Sequence, residues 1–136
     1  MTPHKKLVKQ CDDLWIEIIK LKAGYRSEIS GKTRDMGYAL ASHHIVGKPN
    51  YTLRYLCFEN GICLEAEHEH HWGCHHGSQA LKERIRKQIQ RARGEDVFER
   101  LSLLKNNQLK TGVDIRVIKM FLQKELKKLK EEKRAS

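Results

Sequence analysis

The chain has 136 residues, 39% hydrophobic and 32% charged, which is enough apolar material for one modest core and too little for two independent domains. No run approaches the roughly 18 apolar residues that cross a bilayer, and the start MTPHKKLVKQ lacks the apolar stretch of a secretory signal. We therefore expect a soluble, intracellular protein. The 27 Lys and Arg against 17 Asp and Glu give a formal charge of +10, which favours nucleic acid over an anionic membrane as partner.

The chain has four cysteines and eight histidines, residue types that form disulfides or bind metals. Because no export signal is visible, we expect thiols or metal ligands rather than disulfides. Most of the histidines fall in the central part of the chain, between His43 and His76. This concentration indicates a metal site.

The first half of the chain predicts a helix, a strand, a loop, a second strand and another helix. The first helix ends near Gly24, and its apolar face comprises Leu7, Cys11, Leu14, Trp15, Ile18 and Leu21. YALASHHIV predicts one short strand, Pro49-Asn50 marks a loop, and TLRYLCF with NGICLEA predicts a second extended stretch. The polar run EAEHEHHWGCHHG then predicts a helix. We expect Trp15 and Trp72 to be core anchors.

Three more helices are predicted after Gly77. The first has Leu81, Ile85 and Ile89 on one face and ends at Gly94, and a short helix from about Asp96 to Leu104 follows. The last helix runs from Asp114 to about Lys130, and its apolar face comprises Ile115, Ile118, Leu122, Leu126 and Leu129. We expect one domain over 1–136, with an N-terminal helix (1–24), a central core (25–77) and basic C-terminal helices (78–136).

The doublet His43-His44 closes the first predicted strand. Neighbouring strand residues point to opposite faces, so both rings cannot enter the same core. At least one of the two imidazoles must therefore be exposed or take part in chemistry.

The helix after the second strand offers two candidate ligand pairs. His71 and His75 are four residues apart and share one helix face, as two ligands of one ion require. His70 and Cys74 form a second such pair, rotated by about 100°. The register of the metal-facing pair stays open at this point.

This constellation resembles the HNH, or ββα-metal, endonuclease motif: a histidine doublet ending a strand, Asn60 in ENGICL, and a histidine-bearing helix directly after it. The longer pattern SHHIVGKPNYTLRY, ENGICLEAEHEHHWGCHH and GEDVFERL is similar to small phage HNH proteins of the NinG/Rap recombination-endonuclease type. The match covers about residues 27–76. It implies an α+β fold with a ββα-metal (His-Me finger) core, flanked by N-terminal and C-terminal helices.

The resemblance implies a role for each matching residue. His44 would be the general base that takes a proton from water, and Asn60 would brace the loop between the strands by hydrogen bonds to backbone. The metal ligands would be His43, His71 and His75. One divalent ion, Mg²⁺ or Mn²⁺ for activity, would neutralise charge on the phosphate and the leaving oxygen, and Zn²⁺ or Ni²⁺ could also bind.

Two sets of polar and basic residues are candidates for DNA contact. Arg54, Lys48 and Asn50 lie between the predicted strands, where the resemblance suggests a loop that grips the phosphate near the cut. The helix after Gly77 carries a one-sided basic stripe, opposed only by Glu83. The residues of this stripe that we expect to bind DNA are Arg84, Arg86, Lys87, Arg91 and Arg93.

Many HNH proteins hold a structural zinc with two Cys-x-x-Cys pairs, and this chain departs from that pattern. The first pair is replaced by Ser27-Glu28-Ile29-Ser30, and Cys63 has no neighbouring thiol where the second pair is expected. Serine is not a zinc ligand of that kind. We expect this zinc to be replaced by packing. The alternative is that Cys57, Cys63, His68 and His70 rebuild the site.

The sequence thus predicts a metal-dependent endonuclease that hydrolyses DNA phosphodiester bonds. By resemblance, its setting would be recombination or branched-DNA processing in the cytoplasm of a phage-infected bacterium. The alternatives are a non-catalytic, zinc-stabilised DNA-binding or packaging-accessory protein, and metal sequestration by a histidine-rich surface. The last helix also has enough apolar residues to pair with a second copy in a homodimer.

Overall fold

The computed structural model describes residues 1–47, 50–106 and 114–135, and its mixed helix and strand content confirms the predicted α+β class. Two strands, β1 (Leu40–His44) and β2 (Gly61–Glu65), form an antiparallel sheet. The described α-helices are α1 (Pro3–Lys22), α2 (Gln79–Arg93), α3 (Val97–Ser102) and α4 (Ile115–Ala135). None of the helices in these ranges is both long and apolar enough to cross a membrane.

Helix α1 packs against α4 on one side of the sheet. The Thr2 side chain caps its first turn and Pro3 occupies a position where no backbone donor is needed. The α1 face predicted from sequence is the buried one, and Trp15 is only 1% exposed. From α4, Ile115, Ile118 and Leu122 join the same cluster. Leu126 and Leu129, farther along the predicted α4 face, are only partly buried against this cluster, and the homodimer stays a prediction.

The sheet separates two hydrophobic clusters because neighbouring β2 residues face opposite sides. Cys63 belongs to the cluster that α1 and α4 complete, whereas Ile62 and Leu64 belong to a second cluster. That second cluster also contains Ile85 and Ile89 of α2 and, from α3, Val97 and Leu101. A sheet of only two strands is therefore covered by helices on both faces.

Gly61 allows α1 to lie close to the sheet. It pairs with His44 across the strands. A Cβ built on Gly61 would lie 2.3 Å from Ile19 Cδ1 and 2.8 Å from Trp15 Cζ2, well inside van der Waals contact. The absence of a side chain at Gly61 therefore makes room for Trp15 beside the strand that carries the histidine doublet.

The segment 52–58, predicted to be extended, is mostly helical instead. Thr52–Leu56 forms a π-turn and Phe58–Asn60 forms a 3₁₀ turn. The apparent strand alternation has another cause: Leu53 and Tyr55 are both buried, but Leu53 contacts the second cluster and Tyr55 the first. A tight turn lying between two cores thus gives the same apolar spacing as a strand.

The helix predicted after β2 exists, with a wider winding than expected. Residues Ala66–His76, which we call the histidine helix, form a π-helix with hydrogen bonds between residues five apart. The buried Glu65 carboxylate caps its start by accepting from the backbone N–H groups of Glu67, His68 and Glu69. Trp72 is 43% exposed on this helix, so the expectation that it anchors the core is wrong.

Candidate metal centre and basic cleft

Three imidazoles converge where β1 meets the histidine helix. His43 comes from the end of β1, and His70 and His75 come from the helix. One ring nitrogen from each lies within 4.8 Å of the others. The ring centroids are 5.0 Å apart for His43 and His70, 5.3 Å for His43 and His75, and 4.7 Å for His70 and His75. We call these three residues the histidine triad.

The triad combines one member from each of the two ligand pairs that the sequence left open. His71 lies outside it, with its ring 4.8 Å from Trp72 and 4.6 Å from His76. Cys74 lies outside it as well, because its thiol donates to the Glu69 carbonyl at 3.3 Å. The winding contributes, since a π-helix closes its hydrogen bonds over five residues, so that residues five apart become neighbours on one face. The structure therefore brings together His43, His70 and His75 where we expected His43, His71 and His75.

The distances between the ring nitrogens of the triad and the neutral form of its imidazoles both suit a divalent ion. The Nε2 atoms of His70 and His75 are 3.1 Å apart, and two nitrogens bonded to one tetrahedral Zn²⁺ are separated by roughly 3.4 Å. Burial and, to a smaller extent, the neighbouring imidazoles lower the pKa of His43 to about 3. Burial also lowers the pKa values of His70 and His75. The three rings are therefore neutral near pH 7, the form that binds a metal.

His44 lies beside the triad and is held on two sides. Its ring stacks on Trp15, with centroids 3.8 Å apart and planes at 3°. Its Nε2 lies 3.0 Å from the Arg54 carbonyl oxygen, which can only accept, so Nε2 carries the proton. This tautomer makes Nδ1 the basic nitrogen of the ring. The arrangement suits a histidine that takes up a proton at one defined atom.

Asn60 connects the two segments that flank His44 in space. Its side chain is fully buried; Oδ1 accepts from the Val46 N–H at 2.9 Å, and Nδ2 donates to the carbonyls of Val46 at 3.1 Å and Leu53 at 3.0 Å. The Asn60 carbonyl also accepts from the Ile45 N–H at 2.8 Å. The bracing geometry expected for Asn60 is thus present, and its contribution to catalysis stays a prediction.

The residues expected to grip the phosphate have other contacts. The Arg54 guanidinium binds both carboxylate oxygens of Asp12, at 3.1 and 2.8 Å, so this side chain faces α1. Arg54 contacts the site through its backbone carbonyl, which accepts from His44 Nε2. The Asn50 amide donates to the carbonyls of Leu104 and Lys105. Lys48 lies outside the described residues. The sequence could not show the Arg54–Asp12 pair because 42 positions separate the two residues.

A cleft of about 380 Å³ opens beside the triad. One wall holds His43, His44 and His75, and the opposite wall is formed by α2. The α2 side chains with polar ends on that wall are Gln79, Lys82, Glu83 and Arg86. Apolar residues complete the lining: Ile45, Ile85, Ile89 and Phe98. His44, two triad members and two cations therefore share one solvent-accessible space.

The basic stripe of α2 divides into exposed and structural members. Arg84, Lys87 and Arg91 are exposed. Arg93 instead donates to the carbonyls of Glu59 and Gly61 and forms a 2.8 Å ion pair with Glu28, so it anchors α2 to the start of β2. Arg86 stacks over the Phe98 ring at 3.6 Å from its centroid. Of the five stripe residues expected to bind DNA, Arg93 is thus committed to internal contacts.

Replacing Arg84, Lys87 and Arg91 together by glutamine should weaken DNA binding and flatten its salt dependence. The logarithm of the DNA association constant falls linearly with the logarithm of the salt concentration. Each lost phosphate contact makes this negative slope shallower by about 0.9. Fluorescence anisotropy between 50 and 200 mM salt measures this slope. A matched variant with Lys124, Lys127 and Lys128 of α4 replaced by glutamine removes equal charge. Equal slopes for the two variants would exclude a specific role for α2.

A hydrogen-bonded cluster occupies the position where a Cys-x-x-Cys pair was expected. The Glu69 carboxylate, in a residue only 5% exposed, accepts from Ser27 Oγ and Ser30 Oγ, both at 2.5 Å, and from the Glu65 N–H at 2.9 Å. The Ser27 Oγ accepts in turn from the Ile29 and Ser30 N–H groups. The serine hydroxyls thus fasten the 27–30 loop to the histidine helix.

The alternative zinc site is not assembled in the part of the chain that the structure describes. Within 1–47, 50–106 and 114–135, the histidine triad is the one group of three or more potential ligands at metal-binding spacing. Cys57, Cys63, His68 and His70 do not form such a group. Burial raises the pKa of the Cys63 thiol to about 11, which disfavours the thiolate that zinc requires.

No protein-family model matches this chain, and no curated protein or solved structure is detectably similar to it.

Proposed function

We propose that this protein is a metal-dependent endonuclease of the ββα-metal type that hydrolyses DNA phosphodiester bonds. The observation that carries the proposal is the cleft, where His43 and His75 of the triad lie beside His44, an imidazole with a defined tautomer. The order of β1, β2 and the histidine helix supports it, as does the net charge of +10.

The proposed reaction uses each residue for one task. His43, His70 and His75 would hold a divalent ion, which supplies positive charge to a phosphate oxygen and to the leaving oxygen when it is bound. His44 would accept a proton from water at Nδ1, the resulting hydroxide would attack phosphorus, and the bond from phosphorus to the leaving oxygen would break, with that oxygen taking a proton from solvent. The Arg54 carbonyl and the Trp15 ring fix the orientation of His44. Asn60 holds the backbone on both sides of that imidazole.

The ligand set favours some ions over others. Three neutral imidazoles suit Mn²⁺, Ni²⁺ or Zn²⁺ better than Mg²⁺, which prefers oxygen ligands and keeps several waters. Three protein ligands also leave at least one coordination position for water or phosphate, as catalytic sites do. A structural zinc site, which the non-catalytic alternative requires, has four protein ligands.

A nicking assay tests the proposal. Supercoiled plasmid incubated with the purified protein and Mn²⁺ should be converted to the open circular form, with less conversion in Mg²⁺ and none when the ion is omitted. DNA binding without nicking in Mn²⁺, Mg²⁺, Ni²⁺ and Zn²⁺ would overturn the nuclease proposal and favour the DNA-binding accessory protein. Several weak ions per chain in a metal titration, without one tight site, would favour metal sequestration.

The biological setting is a separate proposal that rests on the resemblance alone. Recombination or branched-DNA processing during phage infection would require the exposed cations of α2 to contact a second duplex arm. Comparing nicking of a four-way junction with that of a linear duplex of equal length tests this setting.

A further inference from the structure

The α2 wall of the cleft presents two cations at one helical spacing. Lys82 and Arg86 are four residues apart on α2, so their side chains lie over one another on the same face. This face is the one opposite the triad. The sequence places both residues on the helix that carries the basic stripe, but only the structure shows that these two line the cleft.

Neither cation is neutralised by an acid in the described part of the chain. No ion pair involves Lys82 or Arg86 there. Glu83, which also lines the cleft, accepts from the Gln79 amide at 3.4 Å. A cleft containing two cations and several neutral imidazoles therefore has an excess of positive charge, which attracts an anion.

Both side chains are also positioned. The Arg86 guanidinium carbon lies over the Phe98 ring, 3.6 Å from its centroid, so a cation–π contact holds this exposed side chain beside the cleft. Lys82 is half-buried. Its side chain lines the same cleft as His43 and His75 of the triad.

We propose that Lys82 and Arg86 bind consecutive phosphates of the DNA strand that is cut, with Lys82 at the phosphate that faces the histidine triad. This inference rests on the proposed function and adds the residues that hold the substrate. An ammonium suits one phosphate oxygen as a point charge, and a planar guanidinium suits a bidentate contact with the next phosphate.

Substitution of these residues tests the inference through binding and cleavage separately. Lys82→Gln and Arg86→Gln should each lower the affinity for a short duplex, measured by anisotropy without added metal, by about tenfold. Each substitution should also make the negative slope of log K against log salt concentration shallower by about 0.9. Lys82→Arg should restore most of the affinity because it keeps the charge. Lys128→Gln, on the exposed face of α4, is the matched control and should bind like the parent.

Cleavage and metal binding give the second readout. In Mn²⁺, Lys82→Gln should raise KM and lower kcat, whereas its Mn²⁺ affinity should equal or exceed the parent value, because a positive charge near His75 has been removed. Unchanged duplex affinity and cleavage in both glutamine variants would overturn this inference while leaving the nuclease proposal intact. A parent protein that never nicks, together with weakened binding in Lys82→Gln, would overturn the nuclease proposal alone.

Discussion

Replacing His44 by alanine should lower the rate of DNA cleavage by about 10²- to 10⁴-fold, the usual contribution of a general base. His44 is not a member of the triad, so the variant should keep its Mn²⁺ affinity. Its DNA affinity should also persist, because the exposed cations of α2 and the other basic residues remain in place. Single-turnover cleavage in Mn²⁺, with metal and DNA binding measured on the same preparation, separates the three properties.

A matched histidine provides the control for this experiment. His68 is exposed on the histidine helix and lies outside the triad, so His68→Ala should cleave DNA at the parent rate. His44→Ala removes the stacking contact with Trp15, so circular dichroism should establish that both variants are folded. A folded His44→Ala protein that nicks as fast as the parent would remove His44 from the reaction.

Replacing His70 by alanine should lower the affinity for Mn²⁺, Ni²⁺ or Zn²⁺ by at least about 100-fold, whereas His71→Ala should change it by about twofold or less. His70 contributes a ring nitrogen to the triad, and His71 instead contacts Trp72 and His76. Isothermal titration calorimetry of both variants measures the difference. The sequence alone predicts the opposite order, because an α-helix would place His71 under His75.

The comparison of these two variants is therefore also a test of helix winding. Both remove one imidazole from neighbouring positions of the same helix, so losses of general helix stability should be similar. A larger loss of affinity in His71→Ala would mean that the segment winds as an ordinary α-helix. Equal losses would mean that the ion is shared among more than three histidines.

Elements with a strong apolar period were predicted correctly. The faces of α1, α2 and α4 follow a 3.6-residue period over many turns, and the structure buries those faces. The strands that become β1 and β2 were also found. The segment 52–58 was assigned wrongly because Leu53 and Tyr55 enter different clusters, and local spacing cannot show which core a buried side chain joins.

The site was only partly predictable for a related reason. His43, His44 and Asn60 were identified because each has a fixed place in a resemblance. The choice between His70 and His71 depends on whether the helix closes its hydrogen bonds over four residues or five, and residue spacing does not encode that difference. The pairing of Arg54 with Asp12 depends on α1 packing against the turn at Thr52–Leu56, a contact between distant parts of the chain.

The cluster of Ser27, Ser30 and Glu69 has a consequence for handling the protein. Because hydroxyl-to-carboxylate bonds fasten the 27–30 loop to the histidine helix, that junction is held by side-chain hydrogen bonds and not by thiolate ligands. Chelation should therefore empty the triad and leave the protein folded. The stripped protein can then be reloaded with one cation after another, which makes the ranking of ions for cleavage a direct measurement on a single preparation.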